Sequence, residues 1–277
     1  MLTQAIDFRE ECDSLHELLK DFDDADWHRP TQFKSWTPTD ILGHLHFFDG
    51  AAEATLQGPR GFAAFTADMS AARKQGVSAV DFTRQWLGDD QGRRLLQRWR
   101  AGYQQLADKY LRLDSAQRVN WAGPDMSVRS CISARQMEAW SHGQALFDLV
   151  GRERVEHDRL RNIAIIAINT FGWTFANRRL PIPDGKPYVR LTSPSGALWE
   201  WHEPSETNRI EGSAVDFCRV ATQTRNIADT HLHVVGEVAK QWMSNAQCFA
   251  GPPHPPPEPG ARFVSRALPS PLPGERG

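Results

Sequence analysis

Apolar positions recur at helical spacing through the first two thirds of the chain. In residues 2–22, Leu2, Ile6, Cys12, Leu15, Leu18, Leu19 and Phe22 share one face with acids opposite, which predicts an amphipathic helix. A second helix opens at Thr37, with Pro38 suited to the first helical position and Asp40 in the first turn. It runs to about Leu56, where Gly58 and Pro59 stop it. Residues 60–75 form a shorter helical piece. Residues 80–113 read as a long helix, interruptible between Gly88 and Gly92, with Phe82, Trp86, Leu95, Leu96, Trp99, Tyr103, Leu106 and Tyr110 inward. A loop at 120–125 contains Gly123 and Pro124. Further helices are expected over 127–150 and 155–178, so the first part is a helical bundle.

The period changes beyond Pro181. Residues 188–193 and 197–202 alternate apolar and polar around Pro194, Ser195 and Gly196, the pattern of a β-hairpin. Ser213 is placed to cap a helix to Thr224, residues 231–235 read as a short strand, and 237–249 as a closing helix. The expected fold class is mainly α with α+β. The expected domains are a bundle over 1–178, a small α/β unit over 182–250, and a proline-rich disordered tail over 251–277.

Composition narrows the function classes. A net charge of −2 over 277 residues gives no global basic field for nucleic acid or an anionic membrane. The longest apolar run, near Ile163 to Ile168, is far short of a membrane span, and the N-terminus shows no signal-peptide pattern. Cys12, Cys131, Cys218 and Cys248 have no CxxC spacing, which suits buried, reduced thiols and a cytoplasmic protein. The expected partner is a small molecule, not nucleic acid or membrane.

The chemistry concentrates on Glu138-Ala139-Trp140-Ser141-His142. A carboxylate and an imidazole four positions apart stand one turn apart on the same helix face and can reach one cation, although such pairs also decorate solvated helices. His44 on the second helix, beside Ile41, Leu45 and Phe48, offers another imidazole, or else a hydrogen-bonded core histidine. Two imidazoles and a carboxylate on facing helices would make a three-ligand site suited to Zn2+, and also to Fe2+, Ni2+ or Mn2+. His46 points elsewhere, towards Asp49 and Glu53, and Asp148 is at most an outer partner.

These motifs carry a resemblance. Trp36, Asp40, His44 and Leu45 resemble the first signature of the mycothiol-dependent maleylpyruvate isomerase N-terminal domain, a DinB-like metal-binding four-helix bundle. Glu138, Trp140 and His142 resemble its second signature, and Gly212 to Phe217 resembles the small α/β domain that follows. The chain also resembles a branch of metal-binding proteins once likened to wyosine-base-formation domains. The resemblance implies His44, Glu138 and His142 as metal ligands and a low-molecular-weight thiol as co-reactant. It further implies a metal-dependent isomerase or thiol transferase acting on a small acidic molecule. Arg225, at the end of the Ser213 helix, is the candidate to bind that molecule's carboxylate. The alternatives are a non-catalytic metal-containing binding protein, or a metal-dependent hydrolase or iron oxygenase.

Overall fold

The computed structural model describes residues 1–121 and 125–263. Helix α1 (Thr3–Leu19) leads through a 3-10 turn at Asp26–His28 to α2 (Pro38–Ala54). The capping box expected at Thr37 is formed: its hydroxyl accepts from the Asp40 amide, and the Asp40 carboxylate accepts from the Thr37 amide. A 3-10 turn (Thr55–Gln57) and Gly58 at φ 80° end this segment, and α3 (Gly58–Lys74) starts at once in a new direction. The long central helix is divided into α4 (Ala79–Leu87) and α5 (Gly92–Tyr110), because Gly88 and Gly92 both take positive φ.

Two short strands missed in the sequence, β1 (Arg118–Val119) and β2 (Met126–Ser127), pair antiparallel and deliver the chain to α6 (Val128–Leu149). The turn expected at Gly123 and Pro124 lies outside the described residues. Ser127 caps α6 by accepting from the Ser130 amide. α1, α2, α5 and α6 form a four-helix bundle in which α1 and α2 each lie against both α5 and α6. Gly143 of α6 faces α1, where a Cβ would meet Leu15 Cδ1 at 3.4 Å and Arg154 Nη2 at 3.1 Å.

The expected single helix over 155–178 is a 3-10 turn (Asp158–Leu160) followed by α7 (Arg161–Asn169) and α8 (Phe171–Ala176). Its placement in the bundle is corrected by packing. Ile163, Ala167, Ile168, Phe171 and Phe175 join a second apolar core with the C-terminal elements, to which α6 contributes Met137 and Trp140. The period of an apolar stripe shows that a helix buries one face, not which neighbour covers it.

The hairpin forms as expected from β3 (Tyr188–Thr192) and β4 (Leu198–Trp201). β5 (Arg209–Ser213) was missed because only Ile210 among its residues is fully buried; it pairs parallel to β3. α9 (Ala214–Ala221) follows, capped by Ser213, and then β6 (His233–Val235), antiparallel to β5, and α10 (Glu237–Asn245). The sheet order is β4-β3-β5-β6. The fold is a helical bundle followed by a small α/β unit, as the sequence predicted.

Residues 251–263 correct the expected disordered tail, whose remaining part, 264–277, lies outside the described residues. The carbonyl of His254 accepts from Arg178 Nη2 (2.6 Å) and Gln223 Nε2 (2.8 Å), and that of Pro257 from Asn226 Nδ2 (2.8 Å). Further on, Gly260 N donates to Asp229 and Phe263 N to Gln32 Oε1. Proline removes amide donors but leaves every carbonyl free to accept, so side chains of the folded body hold an extended proline-rich strap that no apolar pattern announces.

Candidate metal centre

His44 projects from the first half of α2, while Glu138 and His142 project from successive turns of α6. The Nε2 atoms of both imidazoles converge on one oxygen, Glu138 Oε2, at 3.1 Å from His44 and 3.2 Å from His142. One donor atom from each of the three residues lies within 4.8 Å of the others, a spacing that could hold a metal ion. Two sequence segments almost a hundred positions apart are thus brought to one point by the packing of α2 on α6.

The surroundings set the protonation states. Burial, and then repulsion from His142, push the His44 pKa down to about 4 despite the neighbouring carboxylate. For Glu138 burial acts in the opposite sense, yet hydrogen bonds from His142 and His44 hold its carboxyl well below the ordinary value. A neutral imidazole and an ionised carboxylate are the forms in which these groups donate to a cation, so the donor set fits a divalent ion.

Aromatic rings wall the cluster. Trp36 stacks parallel to His142 at 5.7 Å and lies 5.5 Å from His44, while Phe48 and Phe33 approach His44 and His142 at 4.8 and 5.1 Å. Phe33 and Trp36 come from a tight loop closed by Thr31 N to Trp36 O, in which Lys34 and Ser35 adopt φ of 51° and 56°. Such backbone strain persists only where surrounding contacts over-determine it. Asp40, which completes the first motif, is structural: besides capping α2 it accepts from Arg84 Nε and Nη2 at 2.7 and 2.9 Å, tying α4 to α2.

Below the cluster, Arg135 Nε donates to Asp49 Oδ1 at 2.8 Å and Trp99 Nε1 to Asp49 Oδ2 at 3.0 Å, a buried pair joining α2 to α6. The grouping of His46 with Asp49 and Glu53 is therefore absent. Asp49 faces Arg135, Glu53 pairs with Lys109, and the His46 ring packs against Trp86.

His142 also lines a cleft of about 620 Å³, counting its open mouth, between α6 and the C-terminal unit. Arg225 reaches this cleft, but its guanidinium is engaged: Nη2 donates to Asp148 Oδ1 at 2.7 Å and Nη1 to the Thr224 carbonyl. Asp148, which also accepts from Gln144, thereby links α6 to the segment after α9. The sequence reading missed Lys34 and Arg262, which share the lining. Lys34 stands two residues before Trp36 of the first motif, whereas nothing in the sequence around Arg262 signals a site.

The profile of the Mycothiol maleylpyruvate isomerase N-terminal domain matches residues 8–147. The chain belongs to that family. It is 34% identical over 247 residues to the uncharacterized protein Rv0036c of Mycobacterium tuberculosis strain H37Rv, covering 89% of this chain and 95% of that protein. The corresponding protein of strain CDC 1551, MT0041, matches equally. The crystal structure of a point mutant of mycothiol-dependent maleylpyruvate isomerase superposes with a TM-score of 0.52 at 13% identity, over 79% of this chain and 88% of that one. At that identity the likeness establishes the fold, bundle and α/β unit together. Among the described residues no helix is long and apolar enough to cross a membrane.

Proposed function

We propose that this member of the maleylpyruvate isomerase family is a metal-dependent enzyme that uses a thiol, or water, to isomerise or modify a small acidic molecule. The observation that carries the reading is the convergence of His44, Glu138 and His142 at the edge of a cleft. Zn2+ suits two imidazoles and one carboxylate, as do Fe2+, Ni2+ and Mn2+. When bound, a divalent cation supplies positive charge that lowers the pKa of a thiol or water.

The protein's own residues prepare that chemistry. Glu138 remains ionised and His44 neutral, so neither has to exchange a proton with solvent before acting as a donor. Trp36, Phe33 and Phe48 pack against the imidazoles and restrict their planes. Burial raises the thiol pKa of Cys12, Cys131, Cys218 and Cys248, which leaves none of them a ready thiolate and favours an external thiol. These free, buried cysteines also suit a reducing compartment such as the cytoplasm. Arg225 acts here by holding Asp148 and the cleft wall in place.

The test combines elemental analysis of chain purified without chelators with turnover assays pairing low-molecular-weight thiols, mycothiol included, with unsaturated acids. Stoichiometric metal and thiol-dependent conversion are expected. Full turnover by chain stripped of metal would overturn the proposal.

A further inference from the structure

The cleft beside His142 is not electrically neutral. Among its described lining residues, Asp148 is the one carboxylate, and it is already paired with Arg225. Lys34 and Arg262 remain without a carboxylate partner among the described residues. Arg262 is half-buried and Lys34 exposed, and the two share one platform: Arg262 Cζ lies 5.0 Å and Lys34 Nζ 5.3 Å from the centre of the Phe33 ring, whose centre is 5.1 Å from that of His142.

Two like charges brought to one ring oppose each other. Burial lowers the pKa of Lys34, and Arg262 lowers it further; burial and then Arg225 do the same to Arg262. The fold nevertheless brings both to the same ring. Lys34 sits on a left-handed backbone, as does Gln223, whose carbonyl accepts the Arg262 Nη1 hydrogen bond at 2.6 Å. That is the one hydrogen bond of Arg262 among the described residues, which leaves the rest of a five-donor fork for a ligand.

We infer that Lys34 and Arg262 form an anion-binding subsite beside the His44/Glu138/His142 cluster, and that its occupant is a small carboxylate. The inference rests on the reading above and deepens it, because it assigns recognition of the acidic substrate to residues other than Arg225. It also gives the strap a purpose: residues 251–263 carry Arg262 from the C-terminal unit to the bundle loop that carries Lys34. The guanidinium matches a planar carboxylate with paired donors, and Lys34 adds a mobile point charge. The subsite neighbours His142, so an acid held there presents the rest of its skeleton to the cluster.

Maleate is the probe, titrated by calorimetry into full-length chain in metal-loaded and chelator-stripped forms, with metal content and melting temperature measured on each sample. Binding at millimolar concentrations or below is expected, with none for the uncharged dimethyl ester. Lys34→Met and Arg262→Gln should each weaken maleate binding by about tenfold to a hundredfold, as loss of a charged hydrogen bond does, without changing metal content. Lys34→Met breaks no hydrogen bond found among the described residues, so it serves if Arg262→Gln loosens the strap. Maleate binding that ignores Lys34→Met, or no binding by the parent chain, overturns the subsite. Binding lost on stripping the metal but indifferent to both variants places the acid on the cation, and also overturns it. A parent chain that holds no metal, yet loses maleate on Lys34→Met, overturns the metal reading and leaves the subsite standing.

Discussion

His44 and His46 stand two residues apart on α2 and have much in common. Burial pushes each pKa down to about 4, and in each the Nδ1 atom is buried without a hydrogen-bond partner. Their company differs. His44 meets a carboxylate and a second imidazole under Trp36, with walls contributed by a loop and by α6. His46 meets Trp86 and lies where a Cβ on Gly102 would touch it at 3.6 Å, and the charge that acts on it is the repulsive Arg98. Burial and a depressed pKa therefore do not distinguish a ligand from a core histidine; the convergence of other donor atoms on the same point does.

The largest expected effect separates the two histidines outright. Glu138→Ala or His44→Ala should lower metal affinity by more than about a hundredfold, since loss of an outer partner alone costs tenfold to a hundredfold. His46→Ala should retain the metal. Elemental analysis and competition with a chromogenic chelator would measure both, and metal loss in His46→Ala would end the comparison.

Next comes the strap, which joins the C-terminal unit to the bundle loop on the His44 side and does not involve His46. Truncation after Ala250 removes the bonds to Arg178, Gln223, Asn226, Asp229 and Gln32. At about 0.5–1.5 kcal/mol per hydrogen bond, a loss of about 4 kcal/mol and a melting temperature lower by roughly 10 °C are expected. A melting temperature within a degree of the parent would show that the strap contributes nothing.

A pH series sharpens the view of His46. Its folded pKa, about 4, lies below the ordinary 6.5. As pH falls through 6.5 the unfolded chain takes up a proton that the folded chain refuses until about 4, so stability declines across that window and is unaffected above it. Replacing His46 with Leu should remove up to about 3 kcal/mol of this decline, read from urea unfolding of metal-free protein. An unchanged acid limb would mean that His46 titrates in the folded state. The smallest effect concerns the aromatic wall: Trp36→Ala should weaken metal binding by about 1 kcal/mol, the scale of one aromatic pair, while sparing stoichiometry.

Most of the candidate centre was legible because helix geometry is local. The four-residue spacing of Glu138 and His142 dictates their common face, and the Thr37 cap fixes where α2 begins and so how His44 is presented. What was not legible depends on who packs against whom. β5 shows one fully buried residue, so no alternation betrays it. The stripe of α7 and α8 fits either core equally well, and Arg262 sits in a segment whose order comes from side chains of Arg178, Gln223 and Asn226 elsewhere.

α6 has a consequence for how the molecule comes apart. One flank of it, with Cys131, Ile132, Ala139 and Leu146, belongs to the bundle core, and another, with Met137 and Trp140, to the C-terminal core. The helix is a shared wall, so neither half can melt without exposing apolar surface on the other. Cutting before the sheet would leave bare not only α6 but also Ile163, Phe171 and Phe175. The amide protons of both halves should consequently exchange with solvent through a common opening, and a protease should find few half-unfolded intermediates to trap.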